Sequence, residues 1–160
     1  MRIKGLVRAV GAGVLLAGAL LNGADDEDSE HRRGCSLATL RGAYGIQIQG
    51  TRPVPPPAPA GTMESVIGVT FRRYDGQGAF TQVSNDKGSV RGNTSVDLEG
   101  AGTYEVNEDC TGSHEFQIVG SPITVKDRFV IVDRGREVRN FVVSPVPVMV
   151  TGVSQKIGFR

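Results

Sequence analysis

Two residues of the segment Glu105–Phe116 have the chemistry of a nucleophile and its base, because Cys110 is followed four positions later by His114. Residues four apart on an extended strand are separated by roughly 13 Å, so only a turn at Thr111–Gly112 would bring the thiol and the imidazole together. Ser113 is no better placed, since neighbours on a strand point to opposite faces and no G-x-S-x-G turn surrounds it. The spacing therefore disfavours covalent catalysis here.

The N-terminus is typical of an export signal. Three basic residues precede an apolar run from position 9 to 21, and Gly23 and Ala24 offer small residues for cleavage. The run is shorter than the roughly 20 residues that span a bilayer. We predict that residues 1–24 are a signal peptide and that the protein is secreted or periplasmic, with no stable membrane span after cleavage. A retained membrane anchor or a buried helix is the alternative interpretation.

Export changes what the two cysteines are expected to do. An even number of cysteines in an oxidising compartment indicates a disulfide, and two cysteines allow only one pairing, Cys35 with Cys110. Such a bridge would join the start of the folded region to the middle of the chain. With both thiols used and His31 far from His114 in sequence, we predict no metal site and no cofactor.

The charge of the chain argues against nucleic acid as a partner. The full sequence has 18 basic and 17 acidic residues, and removal of three basic residues with the signal peptide leaves a net charge of −2. Affinity for nucleic acids depends largely on cationic contacts to phosphate. The charged segment 25–34 is predicted to be a disordered tether, which leaves residues 35–160 as a single domain.

The domain is predicted to be all-β. It is rich in glycine and proline, and alternating apolar residues recur between turn-like clusters, among them the proline-rich loop 51–62 and the segments 74–78, 85–88, 99–102 and 133–136. The sequences DGQGAF and EGAGTY, at 75–80 and 99–104, are expected to be two similar tight turns, each followed by an inward aromatic residue. Eight or nine short strands without a long helix predict a small closed antiparallel β-barrel, with a β-sandwich as the alternative.

Alternation along the strands also predicts which side chains face the interior. Five aromatic residues are expected to bound a ligand site there: Tyr44, Phe71, Phe80, Tyr104 and Phe116. Four aliphatic residues are expected to share their faces: Ile46, Ile67, Val69 and Ile118. Four charged residues are expected to point outward: Glu64, Arg72, Glu105 and Glu115. The interior would then be apolar, either packed solid or hollow around one small ligand.

His114 is the candidate catalytic residue, because it shares strand parity with Phe116 and Ile118 and histidine titrates near neutral pH. This hypothesis places it near one mouth of the barrel, beside a bound substrate. A structural or solvent-exposed histidine at a strand end is the alternative.

Three landmarks carry a resemblance: LRGAYG at 40–45, YDGQGAF at 74–80 and GTYEVNEDCTGS at 102–113. They resemble a group of uncharacterised exported bacterial proteins whose architecture is similar to the small β-barrels of the lipocalin or allene oxide cyclase type. The resemblance covers most of residues 35–157 and implies the fold. Allene oxide cyclases act largely by shaping a hydrophobic cavity around a reactive substrate, but their functional positions do not match this sequence residue by residue, so no catalytic residue is carried over.

Three functions follow from these observations. The favoured one is a non-enzymatic barrel that binds a small hydrophobic molecule in its interior. The second is a cyclase or isomerase of the allene oxide cyclase type, assisted by His114. The third is a structural or interaction module of the cell envelope that uses the proline-rich loop. The sequence does not indicate the oligomeric state.

Overall fold

The computed structural model describes residues 34–54, 56–90 and 94–158. The predicted signal peptide, and the predicted tether up to residue 33, lie outside the described residues. Within the described ranges, no helix is long and apolar enough to cross a membrane.

Eight antiparallel strands form a closed barrel in which each strand pairs with its neighbours in sequence and the last pairs with the first. The strands are β1 (Gly42–Pro53), β2 (Met63–Tyr74), β3 (Ala79–Gly88), β4 (Thr94–Val106), β5 (Thr111–Ile118), β6 (Thr124–Val132), β7 (Glu137–Ser144) and β8 (Met149–Lys156). Short 3₁₀ turns lie at Leu37–Leu40 and Asp133–Gly135. The predicted all-β barrel is confirmed. Closure pairs the first and last strands, which would otherwise be exposed edges.

One end of the barrel is packed solid. Its buried core consists of Leu40, Tyr44, Tyr74, Phe80, Tyr104, Phe129, Ile131 and Val138, and we call this set the closed-end core. The Tyr74 ring lies at its centre, with centroids 5.3 Å from Tyr44, 5.5 Å from Phe80 and 5.0 Å from Tyr104. Contacts of this kind add to the stability that burial of the rings already gives.

The segment before β1 packs against this end. The Tyr104 hydroxyl donates to the carbonyl oxygen of Leu37 at 3.0 Å, and the Cys35 amide donates to the carbonyl oxygen of Glu108 at 3.1 Å. The Cys35–Cys110 disulfide fixes the segment covalently, with a Cα–Cα distance of 4.9 Å. The predicted disulfide is confirmed.

The turns predicted at residues 85–88 and 99–102 are wrong, because β3 continues to Gly88 and β4 runs through residues 99–102 without interruption. Gly100 and Gly102 allow close contact between strands instead of a turn. A Cβ atom on Gly102 would overlap the carbonyl oxygen of Glu115 on β5. Of the two similar sequences, only DGQGAF forms a hairpin turn, in which Asp75 Oδ1 accepts from the amides of Gln77 and Ala79 at 2.7 and 3.0 Å.

The predicted facing of β2 is also wrong. Ile67, Val69 and Phe71 are 64, 60 and 40% exposed and lie on the outer surface, whereas Glu64 and Arg72 are 2 and 5% exposed and point inward. The physical reason is that β2 carries apolar residues on both faces, and the two inward charged side chains find hydrogen-bond partners inside the barrel. The outward positions predicted for Glu105 and Glu115 are confirmed.

Candidate functional site: the barrel cavity

The half of the barrel opposite the closed-end core contains a cavity of about 690 Å³. This volume is within the usual range of about 300 to 1,000 Å³ for small-molecule sites. Aliphatic side chains from seven strands form much of its wall: Ile46, Ile48, Val66, Leu98, Ile118, Val125, Val142 and Val150. In this half of the barrel, the inward side chains therefore leave space between them instead of filling the interior.

The mouth of the cavity is apolar on one side and charged on the other. Its rim includes Pro53 and Val54, at the start of the connection between β1 and β2. Arg52 Nε lies 2.9 Å from Glu64 Oε1, and Arg52 Nη2 lies 2.9 Å from Asp86 Oδ1. Burial lowers the pKa of Arg52, but the hydrogen bonds and charges of the two carboxylates outweigh it and raise the pKa overall. These ion pairs connect the first three strands at the rim.

The floor of the cavity contains a buried cation, Arg72. Its Nε and Nη2 atoms donate to Gln82 Oε1 at 2.9 and 2.6 Å, and Nη1 donates to the Tyr74 hydroxyl at 3.3 Å. Its Cζ atom lies 4.3 Å from the ring centroid of Phe80 and 5.2 Å from that of Phe116. Cation–π attraction from these rings partly compensates the charge for its lost hydration.

His114 lies beneath this floor and connects Arg72 to an acid. Its Nδ1 atom is 2.6 Å from Asp127 Oδ1, and its Nε2 atom is 2.8 Å from the Tyr74 hydroxyl oxygen. Burial and the nearby Arg72 charge lower the pKa of His114 to about 4, although its hydrogen bond to Asp127 acts in the opposite direction. The neutral imidazole thus donates from Nδ1 to Asp127 and accepts at Nε2 from Tyr74. Asn140 Nδ2 donates to the other Asp127 oxygen at 2.9 Å.

This hydrogen-bond network leaves His114 little capacity for acid–base chemistry. Both ring nitrogens are occupied, the residue is 2% exposed, and it does not line the cavity. The predicted position near a mouth is wrong, because His114 lies between the floor and the closed-end core. Its geometry suits a different role, which is to hold Tyr74 and the neighbouring Arg72 in place.

The aromatic residues predicted to bound a ligand fall into three groups. Phe116 lines the cavity. Tyr44, Phe80 and Tyr104 belong to the closed-end core, and Phe71 lies on the outer surface. The inward position predicted for Phe71 is therefore wrong.

Four interior residues are not predicted by the sequence patterns: Arg72, Gln82, Asp127 and Asn140. One signal could have found Arg72. Tyr74 and Phe80 pair directly across the hairpin that the predicted turn-like segment 74–78 closes, so they share a face. Because Phe80 is inward, Tyr74 and, two residues earlier, Arg72 must be inward as well.

The described part of the chain contains no group of three or more histidine, cysteine, aspartate or glutamate residues that could hold a metal ion. The polar floor is instead a network of hydrogen bonds between a guanidinium, amides, a phenol, an imidazole and a carboxylate.

No protein-family model matches the chain, and no curated protein matches it in sequence. Among solved structures, it is similar to a redesigned β-barrel, with a TM-score of 0.47 and 10% sequence identity. That match covers 77% of this chain and 96% of the other. Similarity therefore assigns no ligand and no reaction.

Proposed function

We propose that the protein is a secreted or periplasmic carrier that binds one small hydrophobic molecule in the open half of its barrel. The observation that carries this proposal is the cavity of about 690 Å³ with its aliphatic wall. Transfer of apolar ligand surface from water to such a wall is favourable by about 25 cal/mol per Å². The export-type N-terminus and the disulfide support the location.

The resemblance to lipocalin or allene oxide cyclase type barrels is consistent with this proposal. The lipocalin type corresponds to a binding role, and the allene oxide cyclase type corresponds to a cyclase or isomerase role. Binding has more support here, because His114 is enclosed by its partners and no contact with the cavity is found for it.

A second candidate function, an interaction module, has its own support. Ile67, Val69 and Phe71 form an exposed apolar stripe on the outer face of β2. Exposed apolar surface of this kind often marks contact with another molecule. The two candidates predict binding on opposite faces of the same strand.

Neighbouring residues of β2 allow a direct test. Val66 lines the cavity and is 2% exposed, whereas Ile67 points outward. The mature protein, residues 25–160, is titrated with the neutral fluorescent probe N-phenyl-1-naphthylamine. We expect saturable binding that Val66→Trp weakens at least about tenfold by filling the cavity, while the matched control Ile67→Trp leaves it unchanged.

The opposite pattern would support the interaction module, because loss of binding in Ile67→Trp alone would place the probe on the outer face. Absence of saturable binding to the unmodified protein would contradict the carrier. Thermal unfolding and circular dichroism of both variants establish that each is folded before its binding is compared.

A further inference from the structure

Arg72 has hydrogen-bond donors for which the described residues provide no acceptor. A guanidinium carries five N–H groups, and Arg72 directs two to Gln82 and one to Tyr74. Its Nη1 atom also lies 3.3 Å from His114 Nδ1, but that nitrogen carries the proton donated to Asp127 and cannot accept another. Among the residues the structure describes, one N–H on each terminal nitrogen of Arg72 therefore lacks an acceptor.

The charge of Arg72 also has no anionic partner among the described residues. Across the described ranges of the chain, no carboxylate lies within ion-pair distance of it. Asp127 contacts the same His114 nitrogen that Arg72 Nη1 approaches, but it forms no ion pair with Arg72, and both of its oxygens already accept hydrogen bonds from other residues. Burial of a charge is costly unless that charge is paired. An anion reaching the floor would supply the missing partner.

A hydroxyl group near Arg72 adds a further donor. The Ser84 Oγ atom accepts from Thr70 Oγ1 at 2.9 Å and from Gln82 Nε2 at 3.4 Å. Both lone pairs of Ser84 are then used, which leaves its own proton for another acceptor. Ser84 and Arg72 line the same cavity, and both are more than nine-tenths buried.

We propose that the cavity binds an amphiphile with one terminal carboxylate, which accepts hydrogen bonds from Arg72 and Ser84 while its apolar tail extends toward the mouth. Two free N–H groups on adjacent nitrogens match the two oxygens of a carboxylate. The aliphatic side chains above the floor, including Val66, Leu98 and Ile118, would contact the tail. This inference rests on the proposed carrier function and specifies the chemical class of its ligand.

The test compares cis-parinaric acid with its methyl ester, which has the same tail but no charge. Fluorescence titration of the mature protein at pH 7.5 should give a dissociation constant at least about tenfold lower for the acid than for the ester, because hydrogen bonds between charged groups are stronger than those to a neutral ester.

Gln82→Glu removes this preference without removing Arg72. The new carboxylate is nearly isosteric with the amide and would occupy the position from which Gln82 Oε1 now accepts two hydrogen bonds. We expect the acid to lose its advantage, so that acid and ester bind this variant with dissociation constants within about twofold of each other. Gln47→Glu is the matched control, because it adds the same charge on the exposed outer face of β1 and should retain the preference.

Each outcome separates this inference from the carrier function. Equal binding of acid and ester by the unmodified protein would overturn the inference while leaving the carrier intact. Retained acid preference in a folded Gln82→Glu variant would also overturn it, because Arg72 would then not be the partner. If neither ligand nor N-phenyl-1-naphthylamine binds, the carrier function itself is wrong.

Discussion

The two halves of the barrel use the same eight strands for different purposes. At the closed end, Tyr74 contacts three other aromatic rings, and a disulfide fixes the segment that covers them. In the open half, mostly aliphatic inward residues leave about 690 Å³ between them. Large side chains at the closed end thus provide packing that stabilises the fold. Smaller side chains in the open half leave space for the cavity. This comparison predicts that changes at the two ends will affect different properties.

The largest expected effect is at the closed end. Replacing Cys35 and Cys110 together with serine should lower the free energy of unfolding by roughly 4 to 5 kcal/mol, because the bridge joins residues 75 positions apart and restricts the unfolded chain. Urea unfolding of the mature protein measures this change. A loss below about 1 kcal/mol would mean that the bridge contributes little. Two reactive thiols in the unreduced, denatured protein would mean that it does not form.

A pair of truncations compares the two halves directly. Phe129→Ala should destabilise the protein by about 3 to 5 kcal/mol, because Phe129 is 5% exposed within the closed-end core. Ile118→Ala should cost less than half as much, since Ile118 already borders the cavity. Urea unfolding of both variants checks this expectation. Equal losses would show that the open half is packed as tightly as the closed end.

His114, which lies at the boundary between the two halves, should make the free energy of unfolding depend on pH. The folded state lowers the pKa of His114 from 6.5 to about 4, so the unfolded state binds the proton more readily between these values. The stability that depends on the neutral imidazole is fully present above about pH 6.5 and is lost as the pH falls toward 4, by roughly 3 kcal/mol. Urea unfolding at several pH values should show this loss.

The same measurement on His114→Gln isolates the contribution of His114, because other titrating groups remain in both proteins. The difference in unfolding free energy between the two proteins should diminish as the pH falls from 7 to 4. A constant difference across this range would contradict the lowered pKa.

The smallest expected effect is on the outer face of β2. Phe71→Ser should alter the unfolding free energy by less than about 1 kcal/mol and leave probe binding unchanged, because Phe71 is 40% exposed and does not line the cavity. Phe116→Ser, the matched change on the cavity wall, should alter probe affinity. A loss of probe affinity in Phe71→Ser as large as in Phe116→Ser would contradict the inward and outward assignments.

Much of the fold could be predicted from the sequence, because its signals are local. Tight turns such as Asp75–Gly78 separate the strands, strand alternation indicates a sheet, and two cysteines in a chain predicted to be exported allow one pairing. The strand at Thr94–Val106 is harder to predict from the sequence, because glycine is typical both of turns and of close contacts between strands. Only the packing of Gly102 against Glu115 decides between them.

The polar floor was the least predictable part of the site. On β2, the apolar residues Ile67, Val69 and Phe71 compete with Val66 and Tyr74 for the inward face, and hydrophobicity alone favoured the wrong set. Arg72 is tolerated inside because Gln82 on β3 and the ring of Phe80 lie beside it. Because the partners that make a buried Arg72 tolerable lie on another strand, its inward position can be predicted only once the register between the strands is known.

The most direct test of the hollow open half is a crystal structure of the mature protein soaked with 1-bromododecane. Bromine scatters anomalously, so its position can be found independently of any assumption about the ligand. We expect an anomalous peak inside the barrel, on the mouth side of Arg72 and bordered by Ile48, Leu98 and Ile118. A peak only on the outer face beside Val69 and Phe71, or an interior filled by protein side chains, would contradict it.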